Sequence, residues 1–197
     1  MKMNLENAQH VQSYMLANMM HVVSGKNLLE QASSQSRNGD CVIPVLNYAI
    51  KYQPDLITMS ALENCIACGV SVNKLRKALE VSTTYIDYRT LTYTAISDQC
   101  ENVAKMLIND YLEDINVNDG MLMVQAVKYC KFDFIKWMVK HGPNVNGREN
   151  FVAMMCAKFQ PIIVFEWLEK HGMEMGNRAD FIIKTLRSNN YEFTAVH

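Results

Sequence analysis

Apolar residues recur at helical spacing through most of the chain, in pairs of runs separated by a short break. The clearest pair covers residues 121–146, MLMVQAVKYCKFDFIKWMVKHGPNVN. Apolar positions three and four apart predict a helix, a break at 129–131, a second helix and a stop at Gly142. The same order returns over residues 151–175, FVAMMCAKFQPIIVFEWLEKHGMEM. Trp137 and Trp167 are 30 residues apart, as are His141 and His171. A recurrence near this period predicts a repeat array, in which each helix pair buries its apolar face on its neighbour.

Earlier stretches carry the same pattern. AIKYQPDLI (49–57) parallels CAKFQPIIV (156–164), and GVSVN (69–73) parallels GPNVN (142–146). An earlier copy is therefore predicted over 41–69, with helices at 41–52 and 55–68. Residues 74–81, KLRKALEV, form a short amphipathic helix that interrupts the array, and 82–89, STTYIDYR, is rich in residues that favour extended chain. A third copy spans 90–118. One slot, read by Ala49, Ala95, Ala126 and Cys156, is always small. Residues 178–188 are predicted as the first helix of a truncated copy, N-capped by Asn177. Helical spacing over 4–23, with a weaker helix at 26–36, predicts an N-terminal helical cap ahead of a loop at 33–40. The expectation is an all-α chain: a cap at 1–40, a helix-pair solenoid of four to five degenerate repeats over 41–190 with an insertion near 70–88, and a tail at 191–197.

Composition narrows the partners more than the fold. Only 4 Pro and 8 Gly favour helices over a turn-rich β protein. The 14 Met suit irregular gaps between helices. Lys and Arg (19) nearly balance Asp and Glu (20), so no net field favours nucleic acid or membrane lipid. No apolar run approaches a membrane span, and the first residues do not read as a signal peptide. Six Cys (41, 65, 68, 100, 130 and 156) then read as reduced thiols of a cytoplasmic protein.

On these residues the copies resemble ankyrin repeats. Ala126-Val127 fall on the paired alanines of that family's first helix. Phe134-Ile135 and Trp137-Met138-Val139 fall on the apolar slots of its second helix, and Gly142-Pro143-Asn144-Val145-Asn146 on its G-A-D-V-N loop. Ala95-Ile96, Val103-Ala104, Met106-Leu107-Ile108 and Asp114-Ile115-Asn116 repeat those slots one copy earlier. The T-P-L-H signature is missing, its nearest counterpart being Thr90-Leu91-Thr92-Tyr93. The Gly between the helices is replaced by Gln53, Gln99, Cys130 or Gln160. With a period of 30 to 31 against the family's 33, the inter-repeat loops are shortened and short links replace the β-hairpins. A different α-solenoid or an irregular helical bundle is the competing fold. The resemblance implies a non-enzymatic protein-binding scaffold that needs no cofactor.

Cys65-Ile-Ala-Cys68 is a lone CxxC that closes a helix, with no second ligand pair at metal spacing, and reads as core. His141 and His171 read as caps of helix C-termini. Trp137 and Trp167 read as a stacked core ladder. What packing does not demand is a lysine and an aromatic ring at the end of each first helix: Lys51-Tyr52, Lys128-Tyr129 and Lys158-Phe159, with Ser97-Asp98 in the remaining copy. The resemblance implies that this slot is exposed on a concave binding face. The partner-binding set is therefore Lys51, Tyr52, Asp98, Lys128, Tyr129, Arg148, Lys158 and Phe159. A metal-free protein–protein scaffold, working as a stand-alone adaptor or inhibitor, is the leading expectation. An all-α enzyme or metal-binding protein using Cys100, Cys130, His141 and His171 is an alternative. A nucleic-acid binder with a stripe of Lys51, Lys128, Lys158, Arg89 and Arg148 is another.

Overall fold

The computed structural model describes residues 42–189; the predicted cap at 1–40, Cys41 and the predicted tail lie outside the described residues. The described residues form ten α-helices and two 3-10 turns, with no strand. In chain order these are α1 (Val42–Tyr52), α2 (Met59–Ala67), α3 (Val72–Val81), α4 (Tyr88–Ser97), α5 (Glu101–Asp110), α6 (Val117–Tyr129), α7 (Phe132–Lys140), α8 (Gly147–Phe159), α9 (Ile162–Lys170) and α10 (Ala179–Ser188). The protein is all-α over this range. None of these helices is long and apolar enough to cross a membrane. The chain divides into two compact units, Met1–Ala95 and Ile96–His197, the division falling inside the last turn of α4.

In the first unit, α1 buries Val42, Val45, Leu46 and Ala49, one face at helical spacing. The single helix expected over 55–68 is in fact two elements. A 3-10 turn, Pro54–Leu56, precedes α2, because the Thr58 hydroxyl accepts the Ala61 N–H and starts a new helix there. The insertion is α3, buried through Leu75, Ala78 and Leu79. The stretch expected to be extended forms no strand. Its hydroxyls bind backbone instead: Ser82 Oγ and Thr84 Oγ1 both donate to the Ile57 carbonyl, at 2.9 and 2.7 Å. Asp87 then caps α4. It accepts N–H bonds from Arg89 and Thr90 and a hydroxyl bond from Thr90 at 2.9 Å.

In the second unit the 30-residue period becomes geometry. The small slot is buried without exception: Ala126 and Cys156 here, Ala49 and Ala95 in the first unit, all fully inaccessible. Phe134-Ile135 in α7 and Val164-Phe165 in α9 occupy matching buried positions. Regular helix begins at Met121 in α6 and at Phe151 in α8. Before each start lies a left-handed turn: Asn118, Asp119 and Gly120, then Arg148, Glu149 and Asn150, with φ between 53° and 74°. Left-handed backbone costs about 1–2 kcal/mol for each residue other than Gly, so external bonds must hold these turns. Asp119 accepts the Arg148 N–H through its carboxylate. Arg178 Nε donates to the Glu149 carbonyl at 2.9 Å. Gly147 presses so close to the Asp119 carbonyl oxygen that no Cβ fits between them.

Two series of side-chain bonds join successive copies. Asn116 accepts the Asn144 N–H and donates to the Gly142 carbonyl. Asn146 repeats this one copy later, accepting from Glu174 N–H at 2.7 Å and donating to the Gly172 carbonyl at 2.8 Å. The second series seals the ends of the first helices. Cys130 Sγ reaches the Ile96 carbonyl at 3.6 Å, and Gln160 Nε2 donates to the Val127 carbonyl at 2.8 Å and that of Cys130 at 3.2 Å. Asn189 Nδ2 donates to the Ala157 carbonyl at 3.2 Å. Asn189 thus does at the end of α10 what Gln160 does at the end of α8. The expected cap of α10 is corrected: Asn177 lies in a 3-10 turn, Gly176–Arg178, and Arg178 holds the N-cap position.

Candidate functional site

The sequence-selected residues divide into one cluster, one outlying pair and two separate positions. Lys128 and Tyr129 end α6, and Lys158 and Phe159 end α8. The Lys128 ammonium lies 4.5 Å from the Tyr129 ring centre and 5.9 Å from that of Phe159, while Lys158 lies 5.2 Å from Phe159. One lysine therefore links two copies. Cation–ring attraction contributes roughly 0.5–1 kcal/mol at exposed sites. Tyr129 and Lys128 are half-buried; Lys158 is exposed, as is Phe159 at 43%. Among the described residues, neither Lys128 nor Lys158 forms an ion pair.

The first unit contains its own version. Lys51 sits 4.8 Å from the Tyr52 ring, which is 60% exposed and lies 5.3 Å from that of Tyr48. Asp98 is exposed at the break after α4 and carries no ring beside it; its carbonyl accepts from the Cys100 thiol at 3.7 Å. Arg148 is not at a helix end. It sits in the left-handed turn before Phe151, with its guanidinium 3.2 Å from the Met121 sulfur. It lines an open cleft of about 520 Å³ with Asp119, Glu149, Phe151 and Arg178. Arg178 pairs there with Glu149 at 3.6 Å and faces the Phe151 ring at 5.6 Å.

Two exposed residues that follow the cluster in the chain carry no mark in the sequence pattern of a single copy. Pro161 is exposed, and Ile163 is 61% exposed in the first turn of α9. The signal was present in the alignment of copies, where Lys131 and Asp133 stand at these positions. Packing does not ask for an apolar residue there, because Val164 and Phe165 supply the buried face.

The tryptophans are not a buried core ladder. Both are half-buried, and each indole lies against its own histidine: Trp137 on His141 at 4.0 Å between centroids, Trp167 on His171 at 3.7 Å. Each histidine donates Nδ1–H to the carbonyl of that same tryptophan, at 2.8 and 2.7 Å, which satisfies a helix-end acceptor. Phe132 bridges to Trp167 edge-on at 5.5 Å. Three acidic side chains between residues 98 and 119 accept backbone N–H groups. Glu101 accepts the Lys131 N–H at 3.2 Å, Asp114 the Asn116 N–H at 2.8 Å, and Asp119 the Arg148 N–H.

Burial pushes three thiols up to about 12: Cys65, with its neighbour Cys68 adding; Cys130, with Glu101 adding; and Cys156, with Glu169 adding. Burial also raises Cys68 and Cys100, the latter helped by Asp98. These are poor nucleophiles, since reactivity follows the thiolate. Among the described residues no group of three or more His, Cys, Asp or Glu could hold a metal ion. Comparison of the chain with known protein families, with curated proteins and with solved structures found no match.

Proposed function

We propose that the protein is a non-enzymatic scaffold that binds another protein, built as a solenoid of ankyrin-like helix pairs. The observation that carries this reading is the cluster of Lys128, Tyr129, Lys158 and Phe159. Two successive copies contribute to it, its cations have no carboxylate partner among the described residues, and its rings are left partly in water. Aromatic residues are over-represented among interface hot spots. The bonds of Gln160 and the two asparagines hold the copies in fixed register, so little ordering entropy is lost on binding. The protein then acts by occupying or tethering its partner. Among the described residues the thiols of Cys65, Cys130 and Cys156 are buried, which suits a reducing compartment, and the cytoplasm is the proposed site of action.

The test is capture of partners from a lysate of the producing organism, using the wild-type chain and a variant with Lys128, Tyr129, Lys158 and Phe159 all changed to Ala. The expected outcome is loss of the captured species with helicity retained. Unchanged capture by the folded variant refutes the site.

A further inference from the structure

We infer that the Lys128–Ile163 surface receives an acidic segment of its partner that also carries apolar side chains. The inference rests on the scaffold reading and names the chemistry of the occupant. The first support is charge. Lys128 and Lys158 lie against rings, and no carboxylate pairs with either among the described residues. A lysine against a ring keeps its full charge, so both ammonium groups remain open to an incoming carboxylate. Such complementarity sets the choice of partner and the speed of encounter.

The second support is the apolar stretch that follows Lys158 in the chain. Phe159, Pro161 and Ile163 are exposed within five residues of chain. The copy before reads Tyr129, Lys131 and Asp133 at the same positions, and its Asp133 is closed off by an ion pair with Lys136 at 2.7 Å. The polar ending is thus compatible with the same helix pair. The apolar one leaves Ile163 in water without adding to the core, whose contacts come from Val164 and Phe165.

Other occupants fit less well. A second copy joined by a two-fold axis at this surface would set one lysine-bearing patch against the same patch of the other copy. A nucleic acid is held through many phosphate contacts, and only two lysines belong to the surface. A segment with carboxylates toward the lysines and aliphatic groups toward Phe159 and Ile163 meets neither problem.

The experiment uses the full chain and three fluorescein-labelled peptides: a repeat of Glu-Leu-Gly, its basic twin of Lys-Leu-Gly, and its polar twin of Glu-Ser-Gly. Binding is read by anisotropy at low and moderate salt. The acidic–apolar peptide is expected to bind at least about tenfold more tightly than either twin, and less tightly as salt rises. A Lys128→Glu/Lys158→Glu variant should reverse the preference between acidic and basic peptides. Ile163→Ser should weaken the Leu peptide and leave the Ser peptide unchanged. Both variants change surface residues, and tryptophan fluorescence checks that they fold. Equal binding of the acidic and basic peptides, or no binding of any up to ~1 mM, overturns the inference. So does a charge-reversed variant with the preference of the wild type. These outcomes leave the scaffold reading intact, because that reading stands or falls on partner capture by the four-alanine variant.

Discussion

Asn146 offers a direct measure of what holds successive copies in register. Its amide donates to the Gly172 carbonyl at 2.8 Å and accepts the Glu174 N–H at 2.7 Å. Asn146→Ala removes both bonds. Each such bond contributes about 0.5–1.5 kcal/mol net, so the pair contributes about 2 kcal/mol. The side chain is half-buried, so water replaces part of what is lost and keeps the figure from rising further. For a chain of this size each kcal/mol moves the midpoint by about 2–4 °C, giving an expected drop of about 4–8 °C. The assay is thermal unfolding followed by tryptophan fluorescence. The chain has 2 Trp, and both belong to the second unit, so the signal reports that unit alone. Asn146→Asp separates the two bonds. It keeps the acceptor for Glu174 but turns a carboxylate oxygen toward the Gly172 carbonyl, so at neutral pH it should lose at least as much as Ala. An Asn146→Ala midpoint within about 1 °C of wild type, equivalent to less than ~0.5 kcal/mol, refutes the assignment of stability to this clamp.

Three further outcomes are expected. Gly147→Ala should destabilise the second unit by at least about 2 kcal/mol, because the added Cβ meets the Asp119 backbone oxygen, which can yield only by shifting a left-handed turn; urea denaturation measures it. Asp87→Ala should cost about 1 kcal/mol as a lost helix cap. Burial raises the Asp87 carboxyl, but its bonds to Thr90, the Arg89 charge and the Arg89 N–H together bring it below its ordinary value. A lowered carboxyl stabilises above its unfolded pKa and loses that contribution as pH falls through the folded one. The gap between wild type and Asp87→Ala should therefore narrow in acid, as read by urea midpoints at successive pH values. Cys65, Cys130 and Cys156, held near 12, should be alkylated by iodoacetamide at pH 8 only as fast as the protein unfolds, with Cys68 and Cys100 modified sooner; mass spectrometry of quenched samples follows each site.

The parts of the fold legible in the sequence are those written as side-chain periodicity. The starts of regular helix at Met121 and Phe151, the break after Tyr129 and the small slot shared by Ala126 and Cys156 all follow from burial, which repeats at helical spacing. Bonds from side chains to distant backbone leave no such trace. Gln160 stands where a turn glycine is expected, yet it seals the end of α6, the first helix of the copy before. Ser82 and Thr84 share composition with strand residues, but their hydroxyls are used as donors to one carbonyl. The tryptophans followed an apolar pattern into a predicted core, whereas stacking on His141 and His171 keeps them at its margin. Within the candidate site, the lysine–aromatic pairs were legible because they repeat. Ile163 was not selected, since a single exposed aliphatic residue is ordinary and becomes informative only beside Asp133 of the copy before.

The seals on the first helices also govern how this chain can change length. Gln160 reaches back to Val127, and Asn189 reaches back to Ala157, which is Val127 moved on by one copy. Excising residues 131–160 would join Cys130 to Pro161 and offer Asn189 the Val127 carbonyl, so that carbonyl would keep a donor. Excising one residue fewer would turn each following side chain by 100° about its helix axis and strand that carbonyl. Insertions and deletions are thus tolerated in whole copies and penalised in fractions, and a longer or shorter binding face can be made by copying a stretch of chain without redesigning either end.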